Sequence, residues 1–149
     1  MATTSTVPSA KAALVALIGT ALPGVQVTYG RPSDAELDSE CVWVGDATGQ
    51  QRVPTIKAGR KARHETYSVD VVCWTVIQRG LVSEAEARAF VLLGEVEDVV
   101  ADDPSLGLTT ATTPVFFATT GQFETAADVA SGIPVAVVRM SVNCEARLA

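Results

Sequence analysis

His64 is the only histidine in this 149-residue chain, so it is the only side chain whose ordinary pKa lies near neutrality and suits a general base. Ser33-Asp34 and Ser68 with Asp70 supply the hydroxyls and carboxylates from which a hydrolytic triad would have to be built. No G-x-S-x-G elbow or other oxyanion signal accompanies them. Cys41, Cys73 and Cys144 are far apart, each inside an apolar alternating stretch, and no C-x-x-C is present. They read as small core thiols of a reducing compartment, and with one histidine they assemble neither a zinc site nor a Cys-His pair. Glu84, Glu95, Glu97, Asp98 and Asp102 could in principle pair as catalytic acids, but they follow the polar side of an amphipathic helix, which is the pattern of a solvated or interfacial face. No Gly-rich phosphate loop or nucleotide fingerprint is present either. The chain reads as a non-enzyme that needs no cofactor and no metal.

What the sequence offers instead is segregated charge. The stretch from Arg52 to His64 (RVPTIKAGRKARH) holds five of the eleven Lys and Arg and no carboxylate, leaving six cations against seventeen carboxylates elsewhere. Its candidate contact residues are Arg52, Lys57, Arg60, Lys61, Arg63 and His64. Such an asymmetry suits contact between copies of one chain, or a local contact with an anion such as nucleic acid; a net charge of −6 argues against coating DNA with the whole surface. Asp34, Glu36, Asp38 and Glu40 form a candidate facing acidic patch.

The elements that position these residues are legible in the periodicity. Length and 48% apolar content fit one domain over residues 1–149. The apolar run from Ala12 to Ile18 lacks a basic flank and is too short to span a bilayer, so a docked helix is expected. That helix opens near Thr6 to Ser9 with hydroxyl caps and Pro8, carries a stripe of Ala10, Leu14, Leu17, Ile18 and Ala21, and stops at Pro23-Gly24. Val25–Tyr29 and Cys41–Val44 read as strands, separated by an acidic loop from Ser33 to Glu40. Residues 47–64 form an extended basic loop, too long for a tight hairpin; as two arms it would reach roughly 25 Å from the sheet. Glu65–Ile77 is a long strand with Tyr67, Val69, Val71 and Cys73 on one face and Val72 and Trp74 on the other.

Ser83-Glu84-Ala85-Glu86 is a capping box that opens a second helix, whose stripe is Ala85, Ala89, Leu92, Leu93, Val96, Val99 and Val100 and whose end is Asp103-Pro104. Pro114–Glu124 reads as a strand with a bulge at Gly121, and Pro134–Leu148 as a strand with apolar even positions. The expected fold is a single-domain α+β sandwich. It has a mixed or antiparallel sheet of four to five strands, two helices on one face, and a long protruding hairpin loop.

This layout is similar to that of the tail terminator proteins of long-tailed, siphovirus-like bacteriophages. The resemblance is carried by the first helix running into Leu22-Pro23-Gly24-Val25, the Trp43 strand before a basic loop, the Glu65 to Trp74 strand, the Ser83 helix and the closing strand from Val135 to Leu148. The richness in Ala, Val and Thr also resembles proteins of phages that infect high-GC actinobacteria. The resemblance implies a structural virion protein assembled in the host cytoplasm. It would form a hexameric ring that caps the tail tube at its head-proximal end and joins it to the head connector. Its partners would be copies of itself, the tail-tube protein and a connector or neck protein, with non-specific contact to genomic DNA in the lumen and none to membranes. Arg52, Lys57, Arg60, Lys61, Arg63 and His64 would then line the lumen or reach the next subunit. A head-to-tail connector or neck subunit is the alternative, and a cellular protein- or ligand-binding domain a more distant one.

Overall fold

The computed structural model describes residues 5–53 and 62–148. Its elements are α1 (Val7–Ala21), β1 (Gln26–Tyr29), β2 (Glu40–Arg52), β3 (Arg63–Val76), α2 (Val82–Asp102), β4 (Val115–Ala130) and β5 (Ile133–Leu148). The strands form one sheet in the order β1-β2-β3-β5-β4, in which only β1 and β2 run parallel. Both helices pack on one face, α1 over β1 and β2 and α2 over β3, β5 and β4. The expected α+β class, with two helices on one face of a mixed sheet, is therefore what the chain adopts.

One face of the sheet holds the core because strand alternation sends the apolar residues there. Val42 and Val44 of β2, Tyr67, Val69, Val71 and Cys73 of β3, and the even residues from Ala136 to Ala146 of β5 are buried on that side. The helices answer with Ala10, Leu14 and Ile18 of α1 and Ala85, Ala89, Leu92, Leu93, Val96 and Val100 of α2. Leu17 and Val99, at the margins of the two stripes, are only half-buried.

A parallel neighbour requires the chain to cross back along the sheet before it re-enters. Here the crossing is made by residues 30–39 without a helix. Leu37 of this loop packs, with Trp74 and Val137, against Cys41, Trp43 and Val72, a second apolar cluster on the face away from the helices. The Gln26 side chain fixes the loop by donating to the Glu36 carbonyl at 2.9 Å and accepting the Asp38 amide at 2.8 Å.

Several element ends differ from expectation. β2 does not stop at Val44: after a bulge between Val44 and Ala47 it continues to Arg52, paired with β3 from Val69 to His64. β4 likewise runs past Glu124 to Ala130, held by β5, with its irregularity between Thr120 and Phe123 where the Gly121 bulge was expected. The β4–β5 link is a two-residue turn in which Ser131 and Gly132 both have positive φ (52° and 79°), the geometry that matches the twist of a hairpin. The expected capping box of α2 does not form. The helix starts one residue earlier, at Val82, with Leu81 as its cap residue and no side-chain cap. The Leu81 carbonyl already takes the Glu84 and Ala85 amides, while Glu86 accepts the Thr125 hydroxyl of β4 at 3.2 Å.

Candidate functional site

The helix-free face of the sheet can be read as cross-strand rows, since residues opposite one another in register share a face. At one end lies Arg52–His64–Arg147–Val115, spanning β2, β3, β5 and β4. Next come Gln50–Thr66–Glu145–Phe117 and Thr48–Ser68–Asn143–Thr119. Beyond Asp70 and Ser141 follow Trp43–Val72–Arg139–Glu124 and then Cys41–Trp74–Val137–Ala126. The bare face is thus basic at one end, hydroxyl- and amide-lined in the middle and apolar under the Leu37 loop.

The basic row is built by strand alternation. Arg147 donates through Nε to His64 Nε2 at 3.0 Å, so that ring nitrogen acts as an acceptor and the proton belongs on Nδ1. Nδ1 is buried and has no hydrogen-bond partner among the described residues. Of the six expected contact residues, the fold brings Arg52 and His64 together on the bare face. Arg63, one residue from His64 in β3, falls on the helix side. Lys57, Arg60 and Lys61 lie outside the described residues. Arg147 was not among the expected contact residues. It was visible only as a polar odd position of the last strand, and its place beside His64 depends on a pairing across 83 positions.

Between the basic row and Asp70 the sheet forms an open trough of about 560 Å³, lined by Thr48, Gln50, Thr66, Ser68, Asn143 and Glu145 among others. Ser68 donates to Asn143 Oδ1 at 2.7 Å, so its hydroxyl is not aimed at a base. His64 and Ser68 sit four positions apart on one strand, roughly 13 Å by strand rise, which keeps them from a direct hydrogen bond. Asp34 is taken by Arg31 at 2.9 Å. The triads imagined around His64 are therefore not brought together. Among the described residues no three His, Cys, Asp or Glu side chains converge as metal ligands.

On the helix side, the acid nearest the basic row has a structural task. Glu65 is buried below the opening of α1 and accepts the Thr6 amide at 2.8 Å, the Thr6 hydroxyl at 2.6 Å and the Gln51 side-chain amide at 2.6 Å. The Tyr67 hydroxyl adjoins Thr6 Oγ1 at 2.9 Å, and Ser5 Oγ accepts the Val7 amide at 3.1 Å. Burial pushes the Glu65 pKa up, but the hydrogen bonds donated by Thr6 and Gln51 outweigh it and hold the carboxyl below its ordinary value. The expected hydroxyl capping of α1 from Thr6 to Ser9 does not form: Thr6 is the cap residue but its side chain caps no helix amide, because its hydroxyl is spent on Glu65 of β3, 59 residues away. Burial likewise pushes the thiols up, to about 11 for Cys41 and Cys144 and about 12 for Cys73.

No helix among the described residues is long and apolar enough to cross a membrane. A scan of protein-family models gives none that matches this chain, and a search of the curated proteins gives no match to its sequence.

Proposed function

We propose that this chain is a structural assembly subunit, the tail terminator of a long-tailed bacteriophage, which forms a ring at the head-proximal end of the tail tube and joins it to the head connector. The observation that carries the reading is the bare sheet face: five strands wide, graded from a basic row to an apolar cluster, and built of hydroxyls and amides where an enzyme would concentrate acid–base groups. An extended, polar surface whose trough is open and lined by hydroxyls and amides suits contact with another extended surface better than it suits enclosure of a small molecule, for which a concave and mainly apolar pocket is the usual solution. The element order that carries the resemblance to tail terminators, helix, two strands, long strand, helix, two strands, is the order of the folded chain. A ring-shaped homo-oligomer, the tail-tube protein and a connector or neck protein are the partners this reading requires, with genomic DNA passing through.

The test is assembly with purified tail tubes. Native mass spectrometry of the protein alone and negative-stain microscopy of the mixture should show closed rings and rings seated on tube ends. A protein that remains monomeric in both, at concentrations well above those of an infected cell, refutes the reading. Rings that bind isolated heads and ignore tubes would move it to the neck.

A further inference from the structure

We infer that the outer edge of β4, from Glu124 to Val129, is the docking site for the part of β2 that β1 does not pair with, from Ala47 to Arg52, of a second copy, so that the sheet continues from one subunit into the next. The inference rests on the self-assembly reading above and specifies its interface.

β4 is a sixteen-residue edge strand. A long exposed edge offers a row of backbone donors and acceptors to any extended chain, and folded proteins usually blunt such edges with Lys, Pro or a covering segment. β4 carries no Lys, Arg or Pro between Val115 and Ala130. Its lower part is covered in one place, where the Ala118 amide donates to the Pro104 carbonyl at 2.7 Å. Its upper part has no such cover among the described residues. Exposed apolar side chains flank the edge: Val115 and Phe117 on the bare face, and Phe123, which meets Phe90 of α2 edge-on at 5.8 Å, on the helix side.

The opposite border of the sheet has a complementary stretch that β1 does not reach. β1 has four residues and covers β2 only from Cys41 to Val44, so β2 continues beyond it from Ala47. The two borders differ in sign. Val115 to Ala130 contains Glu124 and Asp128 as its only charges, whereas Ala47 to Arg52 contains only Arg52. Neither Glu124, Asp128 nor Arg52 belongs to an ion pair among the described residues. In a continued sheet β4 and the next β2 meet antiparallel, as β2 meets β3 and β4 meets β5 here. Bare faces stay on one side, which lets Arg52 reach Glu124 with Gln50 opposite Ala126 and Thr48 opposite Asp128.

This pairing fixes the stagger between copies. Arg52 lies level with Arg147 and Glu124 with Arg139, eight positions apart on β5. That is about 26 Å along the strands for a repeat of four strands, β2-β3-β5-β4, about 19 Å across, because the incoming β4 takes the same side of β2 as β1.

The experiment is disulfide trapping under mild oxidation. Ala126→Cys combined with either Thr48→Cys or Gln50→Cys should give a ladder of covalent oligomers, because directly opposite Cβ atoms lie about 5 Å apart. Each single variant should give none. All three positions are exposed, and a thermal melt checks that each variant folds. Arg52→Glu, and Glu124→Lys with Asp128→Lys, should each weaken assembly about tenfold or more, and the combination should recover most of the loss. Cross-linking of Ala126→Cys alone would reveal a two-fold β4–β4 contact and overturn the inference. Rings that form without a ladder from either double variant would overturn it too, while leaving the ring reading intact. A wild-type protein that never assembles would refute the ring reading itself.

Discussion

Replacing Glu65 with Gln should cost the fold about 2–3 kcal/mol at neutral pH, and the cost should shrink in acid. The carboxylate receives three donated hydrogen bonds, from the Thr6 amide, the Thr6 hydroxyl and the Gln51 side chain, at 2.8, 2.6 and 2.6 Å. Glutamine keeps one carbonyl oxygen for Thr6 but turns those bonds from charge-assisted to neutral, a loss of about 1 kcal/mol. It also sets its own NH2 against the Gln51 NH2, which removes that bond and leaves a donor pair, about 1.5 kcal/mol more. For a chain of this length the total should lower Tm by about 4–12 °C. Because the folded state holds the Glu65 pKa below its ordinary value, the unfolded chain binds this proton more tightly. The stability it contributes is complete above the ordinary carboxylate pKa and is lost as pH falls through the folded value. Urea titrations of both proteins from neutral pH into acid, followed by Trp43 and Trp74 fluorescence, should show a steeper acid limb for the wild type, with the two curves converging. The double variant Glu65→Gln/Gln51→Glu, in which donor and acceptor exchange places, should recover part of the loss. A Glu65→Gln protein as stable as wild type at neutral pH, or with an equally steep acid limb, would refute the capping argument.

Three further outcomes follow from local geometry. All three cysteines should resist alkylation at pH 8 until the protein unfolds, since burial both shields the thiols and pushes them up to about 11 or 12; rapid labelling of the native protein by a maleimide would contradict this. Gly49→Ala should destabilise by about 1–3 kcal/mol or more, because the new methyl would lie 2.2 Å from the Thr66 carbonyl and the Tyr67 Cβ, whereas Gly94→Ala, with nothing within 4 Å, should stabilise α2 by about 0.5–1 kcal/mol. Arg88→Lys should cost about 0.5–1 kcal/mol in a denaturant titration, because lysine cannot reproduce the two-pronged pair in which Nε and Nη2 of Arg88 hold the two oxygens of Glu40.

The parts of the fold that the sequence announces are those where one physical signal dominates. β5 shows a long alternation with a buried even face, and α2 a stripe at helical spacing, and both are found where expected. The far halves of β2 and β4 are different. Ala47-Thr48-Gly49-Gln50-Gln51-Arg52 and Thr125-Ala126-Ala127-Asp128-Val129-Ala130 contain few strand-favouring residues, and they are extended because β3 and β5 supply a partner at every step. The Ser83 capping box illustrates the reverse: a strong local signal yields when the chain leaving β3 presents the Leu81 carbonyl to the first amides instead. The candidate surface was legible as composition and not as geometry. Basic residues between 52 and 64 are plain in the chain, but strand alternation sends Arg63 to one face and His64 to the other. Register then adds Arg147, which no local pattern singles out.

The acidic counterpart of the basic surface also moves when the fold is known. The loop carboxylates Asp34 and Glu40, which by sequence are as available as any, are engaged within the chain: Asp34 with Arg31, and Glu40 with Arg88. These pairs serve the monomer. The first braces the crossing loop, whose Arg31 also lies over the Trp43 ring, and the second ties α2 to the start of β2. Committing them elsewhere would cost the fold what it gains at an interface. Glu124 and Asp128 carry no such duty to a cation among the described residues, and they sit on β4, whose upper outer edge pairs with no strand among the described residues. Their side chains share the bare face with Arg52, so a partner that extends the sheet meets charge and backbone at once. An ion pair at a rim is screened by salt and contributes little alone, but here it would select the register while the backbone bonds supply the attraction. Segregated charge on this chain is therefore better understood as a device for aligning strands than as a field that draws in a polyanion.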